Sequence, residues 1–309
     1  MDKKFIVLLL ICSILFIGAS CQTGTNTNTQ GVFISGIKGI DISFKETAPV
    51  SEFQQKDSVP VVLILKNLGG YDLGAGSAKA KLFGVNLDNF GITTKTYKGT
   101  SLPLKGVSTL NPEGSEQEVN FGNMNYKLEV PGESVPYTFK AKVCYPYETK
   151  TYVNVCMRSK ELEKEVGCAL AEGKNGERIK SGDVSAGPIQ VTSITEETRG
   201  NNQVKFAIKI ENKGNGKVYA INSDCETMDK DTIKKLDSEN KITYEITNPV
   251  GIQCGSAETN KGEVTLVNNV YTLNCWKTID SVYEDKLNIK LDYVYISDTS
   301  KDIKIFKTL

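Results

Sequence analysis

Apolar and polar residues alternate with a period of two along most of the chain, and sustained helical spacing is scarce. Val204, Phe206, Ile208 and Ile210 interleave with Lys205, Ala207, Lys209 and Glu211. Leu287, Ile289, Leu291, Tyr293 and Tyr295 interleave with Lys286, Asn288, Lys290, Asp292 and Val294, and Phe139, Ala141, Val143, Tyr145 and Tyr147 repeat the scheme. Successive side chains of a strand leave opposite faces, so each run predicts a half-buried antiparallel strand. Asn268-Asn269 predicts a hairpin turn, because asparagine tolerates positive φ.

The same landmarks recur in both halves. VPVVLILKNLGG from Val59 and QVKFAIKIENKGNG from Gln203 each run a strand into Asn-X-Gly, at Asn67 to Gly69 and Asn212 to Gly214. Each half then closes on Tyr-X-Tyr (Tyr145 and Tyr147; Tyr293 and Tyr295), read as a strand, a polar turn and a last strand. The pattern predicts a tandem duplication: an all-β chain of two antiparallel β-sandwiches, residues 32–159 and 187–309, joined by a charged, glycine-rich linker over 160–186. The insertion Asp224 to Asn240 is expected to hold one short helix, capped by Asp229 or Asp231.

Composition narrows the chemistry. Lys plus Arg number 37 and Asp plus Glu 37, and histidine is absent. A net charge of zero argues against a nucleic-acid surface, which requires clustered basic residues. Without histidine, Ser-His-Asp triads and His-bearing zinc sites are excluded. The start, two lysines and an apolar run from Phe5 to Ile17 before small residues, has the plan of a secretory signal (residues 1–21). Retention as a short membrane anchor helix is the alternative, although 13 apolar residues are few for a span. Gly18-Ala19-Ser20-Cys21 resembles a lipobox, with Gly18 where such boxes carry an aliphatic residue, and implies lipidation of Cys21. Residues 22–31 have tether composition.

Of eight cysteines, Cys12 lies inside the signal and Cys21 is the anchor candidate; the remaining six are an even set that in an exported chain reads as disulfides. A hairpin register placing Cys144 opposite Cys156 keeps Tyr145, Tyr147, Val153 and Val155 on one face, so Cys144–Cys156 is expected. Cys254 and Cys275 close neighbouring strands and form the second expected bond. With three cysteines per half one bond must cross, and elimination leaves Cys168–Cys225. The cysteine spacings do not favour zinc.

Little else carries chemistry. No phosphate-binding glycine loop or Gly-X-Ser-X-Gly elbow occurs, and no cofactor is expected. Glu196-Glu197 and Glu284-Asp285 read as solvated charges. Asp224, Glu226, Asp229 and Asp231 lack EF-hand spacing. The tyrosine pairs read as core fillers before ligand platforms, and the single tryptophan, Trp276, is placed by the sequence either near a disulfide or at the surface.

The strand entering Asn-X-Gly, in Val61 to Gly69 and Phe206 to Gly214, is similar to the CARDB-type, adhesion-related modules of archaeal and bacterial surface proteins. The resemblance covers the first third of each unit and extends loosely to Tyr-X-Tyr. It implies immunoglobulin-like sandwiches and an extracytoplasmic role in adhesion or display; with the N-terminal segment, the expectation is a non-catalytic, membrane-tethered protein at the cell surface or in a periplasm-like space. The expected partners are the membrane, through the N-terminal anchor, and an envelope protein or glycan. The alternative is an extracytoplasmic lipoprotein binding sugar or peptide between the domains, with aromatics such as Trp276 lining the site.

Overall fold

The computed structural model describes residues 32–162, 167–169 and 178–308. The expected signal, the tether, Cys21 and part of the linker lie outside the described residues. Strands dominate, and the first half supplies β1 (Ile40–Phe44), β2 (Glu52–Gln54), β3 (Val59–Asn67), β4 (Lys79–Phe83), β5 (Lys98–Gly99), β6 (Glu116–Met124) and β7 (Ser134–Met157). The second supplies β8 (Ile189–Arg199), β9 (Gln203–Asn212), β10 (Lys217–Tyr219), β11 (Lys241–Asn248), β12 (Gln253–Cys254), β13 (Lys261–Thr265), β14 (Val270–Thr278) and β15 (Tyr283–Phe306).

β7 and β15 set the architecture. Each is 24 residues long, and they pair antiparallel from end to end, with Tyr283 opposite Met157 and Phe306 opposite Ser134. The polar turns expected after Tyr147 and Tyr295 do not form. Glu148 to Thr151 and Ser297 to Lys301 contain no glycine, proline or asparagine to bend the chain, and the β-branched Thr149 and Thr151 suit an extended backbone. Thr149 stays in register by pointing inward, where its hydroxyl lies 2.8 Å from the Tyr293 hydroxyl.

Around this pair an eight-stranded sheet runs β13-β11-β15-β7-β4-β5, with β10 and β2 also pairing to β15. A three-stranded sheet, β1-β3-β6, and a four-stranded sheet, β12-β14-β9-β8, complete a sandwich-like arrangement. One continuous apolar core joins residues of both halves. The expected boundaries at 159 and 187 therefore divide segments that share strands. Glu148 to Tyr152 of β7 lie beside the part of β15 that pairs with β11, whereas the end of β15, Lys304 to Phe306, pairs with β2 of the first half. The described residues form one compact unit.

The repeat is visible in the register. Pro146 faces Val294, the middle residue of the other Tyr-X-Tyr, while Tyr145 faces Tyr295 and Tyr147 faces Tyr293. Likewise Ile40 faces Asn67 and Ile189 faces Asn212. A local two-fold relation thus passes through the Pro146/Val294 pair. The Asn268-Asn269 turn is present, with φ of 51° and 67°, but β13 and β14 diverge from it into different sheets.

Candidate functional site

The two landmarks of the repeat meet in space. Asn67 Oδ1 accepts from the Gly69 amide at 3.1 Å and its Nδ2 donates to the Tyr71 carbonyl at 2.7 Å. The Asn212 side chain does the same with Gly214 (3.2 Å) and Gly216 (3.0 Å). Each loop so formed receives a tyrosine hydroxyl. Tyr147 accepts from the Tyr71 amide at 3.2 Å, and Tyr295 accepts from the Gly216 amide at 2.7 Å. A Cβ on Gly69 or Gly214 would overlap the hydroxyl of Tyr147 or Tyr295, so the glycine of Asn-X-Gly is required by close approach.

The first tyrosine of each pair holds the start of an outer strand. Tyr145 accepts from the Ile40 amide at 3.0 Å and Tyr293 from the Ile189 amide at 3.4 Å. Burial drives the pKa of Tyr145 and Tyr293 well above the ordinary phenol value, and pushes that of Tyr295 up to about 12. These are neutral, hydrogen-bonded core groups. They fill most of the junction between the halves, and the cavity that remains there beside Tyr145 and Tyr295 is only about 190 Å³.

The cysteines pair differently from two of the three expectations. Cys144 bonds Cys225 and Cys156 bonds Cys168, replacing Cys144–Cys156 and Cys168–Cys225, while Cys254 bonds Cys275 directly across β12 and β14. The physical reason is the unbroken β7. Cys144 and Cys156 are twelve residues apart on one extended strand, roughly 40 Å at about 3.3 Å per residue, far beyond disulfide reach. A bond does cross between the halves, but it starts from Cys144. Three disulfides point to an oxidising, extracytoplasmic environment. No helix among the described residues is long and apolar enough to cross a membrane.

The Asp224 to Asn240 insertion holds two helices, Cys225–Lys230 and Thr232–Ser238, capped by Asp224 and Asp231. It lies over the first half's strands. Asp229, one of the expected caps, instead pairs with Lys81 of β4 at 2.8 Å and Lys142 of β7 at 2.5 Å. Burial acts to raise the Asp229 pKa, but the hydrogen bonds and charges of Lys142 and Lys81 prevail and hold it below the ordinary value. Glu226 accepts from the Tyr97 amide at 2.8 Å. Beneath them Cys144, Tyr219, Cys225, Met228 and Val294 form a small apolar cluster of their own. The four insertion carboxylates thus serve as caps and ion-pair partners. Period-two alternation puts Cys144 on the face opposite Tyr145, and the Cys225–Lys230 helix covers that face.

The remaining candidates are dispersed. Glu196 is buried against Arg178 (2.7 Å) and accepts from the Cys156 amide at 2.8 Å, whereas Glu197 is exposed and pairs with Lys205. Asp285 accepts from Asn248 at 2.9 Å, and Glu284 is exposed. Among the described residues no three Cys, Asp or Glu side chains gather to hold a metal ion. A cavity of about 500 Å³ opens beside the helices, lined by Ala220, Asn222, Met228, Asp237, Lys241 and other mostly polar residues. A smaller one of about 190 Å³ lies near Ile37, Tyr145 and Gly214. Trp276 lies on the outer side of the four-stranded sheet, opposite Lys205, and donates from Nε1 to Gln253 at 3.0 Å.

No family model matches the sequence, and no curated protein matches it. Among solved structures it is similar to the secreted serine protease VesC from Vibrio cholerae, at 10% identity over 85% of this chain and 51% of that one, with a TM-score of 0.21. The aligned part is about half of that protein, and a likeness at this level carries no argument about fold or chemistry.

Proposed function

We propose that the chain is an exported, non-catalytic envelope protein, tethered at its N-terminus, whose folded part displays a binding or structural surface outside the cytoplasm. In this reading the halves are immunoglobulin-like modules of the CARDB type, fused by exchange of their long strands. The observation that carries it is the shared β7–β15 ladder together with the disulfide that crosses the halves. Such a body resists opening, has its polar groups committed to structure at the junction, and offers its edges and outer faces as the working surface. The ligand-binding lipoprotein reading receives less support, since the four tyrosines pack against one another and the cavity left between the halves, about 190 Å³, is smaller than ordinary small-molecule pockets.

The test is location followed by capture. Protease treatment of intact cells should degrade the chain, and detergent phase partitioning should move it to the aqueous phase in a Cys21→Ala variant. A chain protected within the cytosol, with its six cysteines as free thiols, would overturn the reading.

A further inference from the structure

The cavity beside the two helices brings both signs of charge to one opening. Asp224 lies at the start of the first helix, Lys234 and Asp237 come from the second, and Lys241 of β11 with Glu263 of β13 lines the sheet side. Three acidic and two basic residues leave the lining with one net negative charge. Part of that charge is spent within the protein: Lys241 pairs with Glu263 at 3.3 Å, and Asp224 accepts from the Thr227 amide at 2.9 Å. Asp237, by contrast, is exposed and has no ion-pair partner among the described residues, and Lys234 reaches Asp231 only at 4.0 Å. Ser223, in the same wall, leaves its buried hydroxyl without a hydrogen-bond partner, an unmet polar group in the lining.

The first helix is fastened to the strands of the first half. Cys225 is bonded to Cys144, Asp229 is held by Lys81 and Lys142, and Met228 of the lining is buried in the apolar cluster beneath. A wall fixed in this way is formed before a ligand arrives, which lowers the ordering cost of binding. The volume, about 500 Å³, falls within the range of small-molecule sites, while the mostly polar lining calls for a small ligand that carries charge of both signs. Lys234 and Asp237 are three residues apart on one helix, which sets their Cβ atoms about 5 to 6 Å from one another. The terminal ammonium and carboxylate of a dipeptide match that spacing, since two residues span at most about 7 Å.

We propose that this cavity binds a short peptide by its free termini, the ammonium against Asp237 and the carboxylate against Lys234. The net negative lining favours peptides with a basic side chain. The site goes beyond the display role above and stands apart from it, because binding by the purified chain is the same wherever the protein resides. The full chain is titrated by calorimetry with glycyl-lysine, alanyl-alanine and glycyl-glutamate, and with N-acetyl-alanyl-alanine amide, which lacks both terminal charges. Glycyl-lysine should bind saturably and most tightly, glycyl-glutamate more weakly than alanyl-alanine, and the blocked peptide without measurable heat. Asp237→Asn and Lys234→Gln, both on exposed positions, should each weaken glycyl-lysine binding about tenfold with an unchanged circular dichroism spectrum. No saturable heat with any free peptide at millimolar concentration, equal binding of the blocked peptide, tightest binding of glycyl-glutamate, or undiminished binding by the two variants would overturn the proposal.

Discussion

Ile305 offers a direct trial of the strand exchange. It belongs by sequence to the end of the second half, yet it is 0% exposed and sits opposite Val135 of β7 and Phe53 of β2, both first-half residues. Ile305→Ala removes three buried carbons and leaves a cavity, a change that costs about 2 to 5 kcal/mol in well-packed cores. With an unfolding entropy of about 2.1 cal/mol/K per residue, a unit of about 280 residues gains near 0.6 kcal/mol/K on melting, so Tm should fall by about 3 to 8 °C. Scanning calorimetry should show one transition before and after the substitution, because neither half can melt without stripping β7 and β15 from the other. Hydrogen exchange locates the damage: protection should drop most in β2 and the first residues of β7, the strands in register with Ile305. Two separate transitions, with the loss confined to the one containing β9 and β14, would refute the reasoning.

Other consequences are as open to measurement. Tyr147→Phe leaves the Tyr71 amide without its acceptor in a partly buried setting and should cost about 1 kcal/mol in urea denaturation, with Tyr295→Phe behaving alike at the matching loop. Replacing both Cys144 and Cys225 by serine should lower stability by about 2 to 4 kcal/mol and open residues 222–240 to limited proteolysis while the strands stay intact. Asp229 has a folded-state pKa below its unfolded value, so its pairing stabilises the native chain above the unfolded pKa and is lost as pH falls through the folded one. The urea midpoint of Asp229→Asn should therefore lie below that of the parent at pH 7, and the gap should close on acidification below the ordinary carboxylate range.

The alternation of Val204 to Ile210 and Leu287 to Tyr295 made the strands and their buried faces readable from sequence, because period two is a local property. The repeat was readable too, since Asn-X-Gly and Tyr-X-Tyr are parts of one loop-and-hydroxyl device present twice. What stayed hidden was partner choice. Glu148 to Thr151 look like a turn when only hydrophilicity is weighed, and only the matching partner strand β15 favours continuing straight through them. That single misreading carried with it the Cys144–Cys156 expectation and the division into separate sandwiches. Trp276 likewise had no position until β9 and β12 were set on either side of β14.

The long ladder also fixes a timetable. As the chain is made, β7 appears with its inward face and much of its backbone unpaired, and it waits for a partner whose last residue is Phe306. The eight-stranded sheet cannot be finished until β15 has been made, and the contacts that finish it lie far apart in sequence, which makes assembly slow. Until then β7 keeps one long edge open, with β4 the only strand paired along its other edge.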